Sequence, residues 1–428
     1  MTISSFFTAA KQNTFLKHNA IFFVGSVAVG VLNYAYYPVL GRLMNPAAFG
    51  EIQVLVSLFL QFTIFLNVLS LITVTITVNY TESQKAHRVI FELEKLASYI
   101  ALGLLILSIA FGGFLQQLLH FGSPLPFVAL SLAMLTSIPL TFRSAYARGQ
   151  KRFGVASTSQ LIGAGTKILF SAGLVVLGLG VTGAIGGIAI AQFLAFLYAA
   201  RYAARLGFAR PSDTHYGTLP DLKLVLPELK YAGAVFIGLL AITMTMTIDV
   251  IVVKYFFDAH TAGLYAGVAT VARIIFFLAT PISQVLMPMV KTGQPVKESF
   301  KMLKKSMLLT VLIGGMVLLA CAVMPEFIMR FLMGVEYITY SSLLPPLALA
   351  IFLISIANLN FMFILALRQK MIMLVGIISF AVSLSLLFIW HHDLHAVVLS
   401  MLGGSIFTLV ATGIYVLVSL KRGVRYAE

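Results

Sequence analysis

The stretch from Ile100 to Leu119, IALGLLILSIAFGGFLQQLL, contains no charged residue. A second apolar run, LLTVLIGGMVLLACAVM, extends from Leu308 to Met324. About twenty apolar residues are what an α-helix needs to cross the hydrocarbon core of a bilayer. Strands of a membrane β-barrel instead alternate apolar and polar residues. The two runs therefore predict an all-α integral membrane protein.

The composition supports the same class. The 428 residues are 60% hydrophobic and 10% charged, with a mean hydropathy of +0.99, whereas about 25% of residues are charged in soluble domains. A water-soluble globule is excluded. The formal net charge of +15 would suggest nucleic acid as the partner of a soluble protein, but membrane topology explains it better, and no nucleic-acid partner is predicted. The single Cys321 excludes a disulfide framework and a thiolate metal cluster.

Apolar stretches predict twelve transmembrane helices. We place them at about 18–40, 51–79, 97–119, 124–146, 155–179, 183–204, 230–257, 262–290, 305–324, 343–367, 371–391 and 396–420. Lys and Arg collect in alternate connections, 24 of the 29 on one side, and cationic residues are retained on the cytoplasmic side during insertion. A multi-pass protein with both termini in the cytoplasm is therefore predicted, with an N-terminal segment 1–17 and a tail 421–428.

The two halves of the sequence echo each other. Leu43–Gly50 aligns without gaps on Phe256–Gly263, and Ala147–Lys151 aligns on Ala366–Lys370. Together with the six-plus-six helix count, these echoes predict a parallel duplication, with lobes at 18–205 and 230–420, a central cavity and a cytoplasmic linker at 206–229. Parallel halves of this kind are a transporter architecture.

Several stretches carry a family resemblance. The segments Ile248–Phe256, Ala262–Ala266 and Pro281–Pro288, and Pro38–Leu43 in the first half, resemble those of polysaccharide transporters. These are the Wzx-type O-antigen flippases of the multidrug, oligosaccharidyl-lipid and polysaccharide exporter superfamily.

The resemblance implies a flippase rather than an enzyme. Such a carrier moves an undecaprenyl-diphosphate-linked glycan from the cytoplasmic to the outer leaflet of the bacterial inner membrane by alternating access, in lipopolysaccharide or other polysaccharide biosynthesis. The implied partners are that glycan, membrane lipids and the polysaccharide polymerase machinery. No cofactor or metal is implied, and proton or sodium coupling stays open.

Three ionisable residues fall at bilayer depth, away from the ends of their predicted spans, where each costs about 2.5 to 3.5 kcal/mol on insertion scales and usually marks a pathway. Lys167 and Arg273 lie near the middle of their helices, and Asp249 lies in the outer half of its own. The two cations are predicted to bind the diphosphate. In the alternative interpretation, Arg273 pairs with Asp249 as a tie between helices and Lys167 is satisfied by neighbouring polar groups.

Two further roles are expected at the site. Asp249 is a candidate protonation site, because burial raises a carboxyl pKa and a nearby cation lowers it. Arg42 lies at the external turn, where it could anchor the helix end or receive phosphate after flipping.

Two competing functions are considered. A cation-coupled multidrug exporter of the same fold should present acidic groups to its cationic substrates, whereas two cations are predicted here. A membrane glycan polymerase or ligase would need a long external loop with charged catalytic groups, and the external connections are short.

Overall fold

The computed structural model describes residues 14–79, 84–208, 218–289, 296–367, 369 and 371–421. Residues 1–13 of the predicted N-terminal segment, 209–217 of the linker and 422–428 of the tail lie outside these ranges. Within the described residues all regular structure is helical. This confirms the all-α prediction.

The helices are numbered in chain order. They are α1 Thr14–Leu43, α2 Pro46–Asn79, α3 Gln84–Leu118, α4 Leu125–Gly149, α5 Phe153–Leu174, α6 Gly180–Arg205, α7 Leu222–Phe256, α8 Ala259–Ala272, α9 Ile274–Met289, α10 Val296–Val323, α11 Pro325–Leu332, α12 Leu344–Ala366, α13 Ile372–Ile389 and α14 Leu394–Lys421. A π-helical turn, Val175–Leu179, joins α5 to α6, and a 3₁₀ segment, Val335–Leu343, precedes α12.

Ten segments of the described chain are long and apolar enough to cross a membrane. One of them, Phe153–Arg205, contains both α5 and α6. The protein is therefore a multi-pass membrane protein, and the count of twelve spans stays a prediction. The segments of α3 and α10 are the least buried, so their apolar side chains are the ones most available to lipid.

Several helix boundaries differ from those predicted, including the starts at Leu222 and Val296 instead of near residues 230 and 305. The third helix begins at Gln84 rather than near residue 97. The extra turns are polar, but they form because Glu92 and Lys95, one helical turn apart, pair with each other at 2.8 Å. The predicted eighth span is two helices, α8 and α9, that meet at Arg273.

Contacts divide the chain into two compact units. Unit 1 contains the described residues of Met1–Leu43, Phe65–Gln117 and Gly122–Ala232, and unit 2 contains those of Met44–Ile64, Leu118–Phe121 and Gly233–Glu428. Helix α2 therefore contributes its first part to unit 2 and its second part to unit 1. The lobe boundaries at 18–205 and 230–420 stay a prediction.

The two units repeat one packing scheme. In unit 1, α6 packs along both α4 and α5, and in unit 2, α14 packs along both α12 and α13. These are the fourth to sixth and tenth to twelfth predicted spans, so the scheme agrees with the parallel duplication. At Gly187 of α6 an added Cβ would lie 2.4 Å from the Ser171 nitrogen of α5, so the two helices pack closely at this glycine.

Candidate functional site

Asp249 of α7 and Arg273 meet inside unit 2. The Arg273 Nη2 donates to Asp249 Oδ1 at 2.5 Å, and the side chains are only 6% and 0% exposed. The Tyr265 hydroxyl of α8 donates to the other carboxylate oxygen at 2.8 Å. The carboxylate is thus held by a cation and a phenol, and this is the inter-helix tie of the alternative interpretation.

Backbone geometry positions this pair. Arg273 lies at the junction of α8 and α9, with φ −67° and ψ −9°, two turns along from Tyr265. Residues seven or eight apart lie on the same face of a helix, so both side chains reach Asp249 on α7. The Arg273 Nε is buried without a hydrogen-bond partner. The guanidinium therefore keeps an unused donor beside a charge that is already neutralised.

Lys167 of α5 lies in unit 1 and has a different environment. Its Nζ donates to the Asn33 Oδ1 of α1 at 2.7 Å and lies 4.5 Å from the centroid of the Tyr36 ring. The side chain is half-buried. Within the described ranges no carboxylate forms an ion pair with it, so its charge is met by an amide oxygen and an aromatic face.

Arg42, the fourth predicted site residue, is exposed near the end of α1. The structure brings Asp249 and Arg273 together in unit 2 and places Lys167 and Arg42 in unit 1. Which of the four contact a substrate stays a prediction.

A buried charge cluster in unit 1 was not predicted. Lys95 Nζ contacts Glu92 at 2.8 Å and Thr218 at 3.2 Å, and Glu92 accepts from the Asp221 nitrogen at 2.8 Å. The residues Thr218 and Asp221 end the connection between the halves, which is therefore fixed to α3. A Glu-x-x-Lys spacing just before an apolar run was the available signal.

The same cluster fixes the start of that connection. Arg143 of α4 pairs with Glu94 of α3 and lies 4.6 Å from the Phe208 ring. The Tyr146 hydroxyl donates to the Leu206 carbonyl at 3.2 Å. Both described ends of the connection are thus held by unit 1.

In the described part of the chain, no three His, Cys, Asp or Glu side chains are grouped so that they could hold a metal ion. Two buried or half-buried cations have different partners: Arg273 pairs with the Asp249 carboxylate, and Lys167 donates to the Asn33 amide oxygen. Together with ten membrane-length helices, these contacts define a multi-pass membrane protein with charges buried within its helical units.

The chain belongs to the family described as polysaccharide biosynthesis protein, whose model matches residues 15–294. This confirms the resemblance noted in the sequence. A comparison with curated proteins found no matching sequence.

Solved structures share the fold. Lipid II flippase MurJ in an inward closed conformation is 16% identical, with a TM-score of 0.75 over 94% of this chain and 87% of that one. An inward-facing multidrug resistance MATE family transporter of the MOP superfamily is 13% identical, with a TM-score of 0.70 over 92% and 94% of the chains. A MOP superfamily transporter from Pyrococcus furiosus, described as having a binding pocket of reverse polarity, is 14% identical, with a TM-score of 0.60 over 94% and 95% of the chains.

Proposed function

We propose that this protein is a flippase for a lipid-linked glycan. It moves an undecaprenyl-diphosphate-linked oligosaccharide or polysaccharide repeat unit from the cytoplasmic to the outer leaflet of a bacterial inner membrane by alternating access. The termini face the cytoplasm in this proposal, and the lobes are those at 18–205 and 230–420. Membership of the polysaccharide biosynthesis protein family and a fold shared with flippases and exporters support it.

The observation that carries the proposal is the state of the buried cations. Arg273 is held by one carboxylate, Asp249, and Lys167 is held by an amide oxygen. A diphosphate in a low-dielectric environment needs positive charge beside it. Arg gives bidentate contacts to phosphate and Lys gives a movable point charge, so each of these residues can serve as a phosphate-binding group.

Asp249 could be replaced by a phosphate of the substrate as the partner of Arg273. Its carboxylate occupies the guanidinium donor that a phosphate oxygen would use. Protonation of Asp249 would weaken its bond to Arg273 and leave the guanidinium for phosphate. In this proposal Asp249 is the counter-ion of Arg273 in the absence of substrate, and proton uptake couples to substrate binding.

The charges argue against the exporter alternative. A site for cationic drugs needs a carboxylate available to the drug, and Asp249 already has Arg273 and Tyr265 as partners. A polymerase or ligase is disfavoured because it needs charged catalytic groups in a long external loop. We therefore propose a transporter and not an enzyme.

The test compares the two substrate classes in one preparation. The full-length protein is reconstituted in vesicles that contain a fluorescent undecaprenyl-diphosphate-linked oligosaccharide, and translocation is followed by quenching from outside. The same vesicles are assayed for uptake of a cationic dye. We expect glycolipid translocation above that of protein-free vesicles and no dye transport. Dye transport without glycolipid translocation would overturn the proposal.

A further inference from the structure

Lys254, in the last turn of α7, is fully buried, and among the Lys and Arg side chains that the structure describes in unit 2 it is the most buried. Its side chain is 0% exposed, and its Nζ is buried without a hydrogen-bond partner. A lysine ammonium has three donors. All three are unused in this structure, whereas Arg273 in the same unit has a carboxylate partner.

The surroundings supply charge compensation without a direct contact. The Nζ lies 5.5 Å from the centroid of the Phe121 ring, and the carboxylates of Glu51 and Asp258 act on it through space. Asp258 is the N-cap residue of α8, because its Oδ1 accepts hydrogen bonds from the His260 and Thr261 backbone nitrogens at 3.0 Å. These hydrogen bonds lower the pKa of Asp258 and keep it ionised.

An arrangement of this kind is costly. A buried charge without hydrogen bonds loses several kcal/mol of hydration, which distant charges only partly offset. A methionine at position 254 has a side chain of similar length and would avoid that cost. A lysine at this position is therefore best explained by a state in which its three donors are used.

The first part of α2 contacts α7 near Lys254. Thr247, two turns before Lys254, accepts a hydrogen bond from Gln61 of α2 at 2.9 Å, and Glu51 lies at the start of that helix. Residues seven apart share one helix face, so Lys254 lies on the face of α7 that Gln61 contacts. Movement of residues 44–64 away from α7 would separate Glu51 from the ammonium.

We propose that Lys254 is a concealed phosphate-binding group, which is uncovered when residues 44–64 detach from α7 and which then binds the diphosphate of the lipid-linked substrate at the predicted outer end of the path. This inference rests on the proposed function. In the covered state Glu51 balances the charge, and phosphate oxygens take its place once the segment has moved. A compact ammonium suits this exchange because it binds phosphate without a fixed orientation.

Chemical rescue tests the need for an amine. Cys321 is the single cysteine, so a Cys321→Ser background allows Lys254→Cys to be modified alone. Aminoethyl methanethiosulfonate restores a lysine-like amine, and methyl methanethiosulfonate adds an uncharged group of smaller size. We expect glycolipid translocation to fall about tenfold in Lys254→Cys and to recover with the aminoethyl reagent only.

A variant of Glu51 distinguishes two roles of Lys254: binding phosphate and neutralising the Glu51 carboxylate. If Lys254 only balanced Glu51, the combination Glu51→Gln/Lys254→Cys would translocate without modification. We expect this double variant to depend on the aminoethyl group as strongly as Lys254→Cys does. Translocation by the unmodified double variant at the rate of Glu51→Gln would overturn the inference.

A binding measurement keeps the inference separate from the proposed function. Inorganic pyrophosphate is titrated into the full-length protein in nanodiscs, with Lys254→Met compared with the exposed control Lys305→Met. We expect about tenfold weaker binding in Lys254→Met and no change in the control. Equal binding by both variants would refute the site. Pyrophosphate binding that depends on Lys254, in a protein that translocates no glycolipid, would instead refute the flippase proposal alone.

Discussion

Gly50 of α2 and Gly263 of α8 touch backbone to backbone. A Cβ on Gly50 would lie 2.9 Å from the Gly263 Cα. These are the two positions that the sequence repeat aligns with each other. Both glycines lie in unit 2, so this close approach joins the start of α2 to α8 within that unit.

Gly263 should be the less tolerant of the two glycines. A Cβ on Gly263 would lie 1.8 Å from the Pro46 carbonyl oxygen, so Gly263→Ala must displace backbone. We expect a loss of about 1 to 3 kcal/mol, typical of overpacking, seen as a lower midpoint of thermal unfolding in detergent. Gly315→Ala in α10, where an added Cβ meets nothing within 4 Å, is the matched control. Equal midpoints for the two variants would contradict this close approach.

Replacing one partner of the Asp249–Arg273 pair should lower the free energy of unfolding more than replacing both. Asp249→Asn or Arg273→Gln leaves a buried, uncompensated charge, which costs about 3 to 5 kcal/mol. The double variant leaves none, so we expect it to recover most of that loss in a chemical unfolding series. Additive losses in the double variant would show that the two side chains do not act as a pair.

Tyr265→Phe should destabilise the protein less than the single variants of Asp249 and Arg273 do. It removes one hydrogen bond to Asp249 and keeps the ring, so we expect about 1 kcal/mol of destabilisation in the same unfolding series. A loss as large as that of Asp249→Asn would mean that Tyr265, rather than Arg273, is the main partner of the carboxylate.

Proton coupling through Asp249 predicts a change in transport energetics. An asparagine cannot take up or release a proton, so translocation by Asp249→Asn should no longer respond to a pH gradient across the vesicle membrane. The measurement is the initial rate with and without an imposed gradient, compared with the wild type. A variant that keeps the response of the wild type would exclude Asp249 as the coupling group.

The cluster at the connection between the halves makes a separate prediction. Lys95→Met leaves Glu92 buried with one backbone donor from Asp221, so it should destabilise by about 3 to 5 kcal/mol. Adding Glu92→Gln should restore much of this. Lys223→Met, at an exposed position in α7, should change the unfolding midpoint little. If it lowers the midpoint as much as Lys95→Met, the buried cluster is not what fixes the connection.

The sequence predicted the helical class because apolar runs of membrane length have few alternatives. It also predicted the pairing of Asp249 with Arg273 as one of two interpretations, since both lie inside spans. It did not identify Tyr265 as a partner, because tyrosines are common in such helices and nothing in the spacing marks a hydroxyl that faces a carboxylate.

The burial of Lys254 could not be predicted from the sequence. Its place near a helix end made it one of the few cations of the predicted outer side, where most such side chains reach the interface. Only tertiary packing buries it, and the first part of α2 contacts the same helix at Thr247. The repeat likewise aligned Gly50 with Gly263, but alignment alone does not show that two equivalent residues touch.

The central claim is that Lys167 and Arg273 supply the charge that carries a diphosphate across the membrane. The most direct measurement is the initial rate of glycolipid translocation in vesicles, normalised to inserted protein, for the wild type, Lys167→Met and Asp249→Asn/Arg273→Gln. The double variant removes the cation without leaving a lone buried acid. We predict that each rate falls about tenfold or more. Wild-type rates in a chain that carries all three substitutions would contradict the claim.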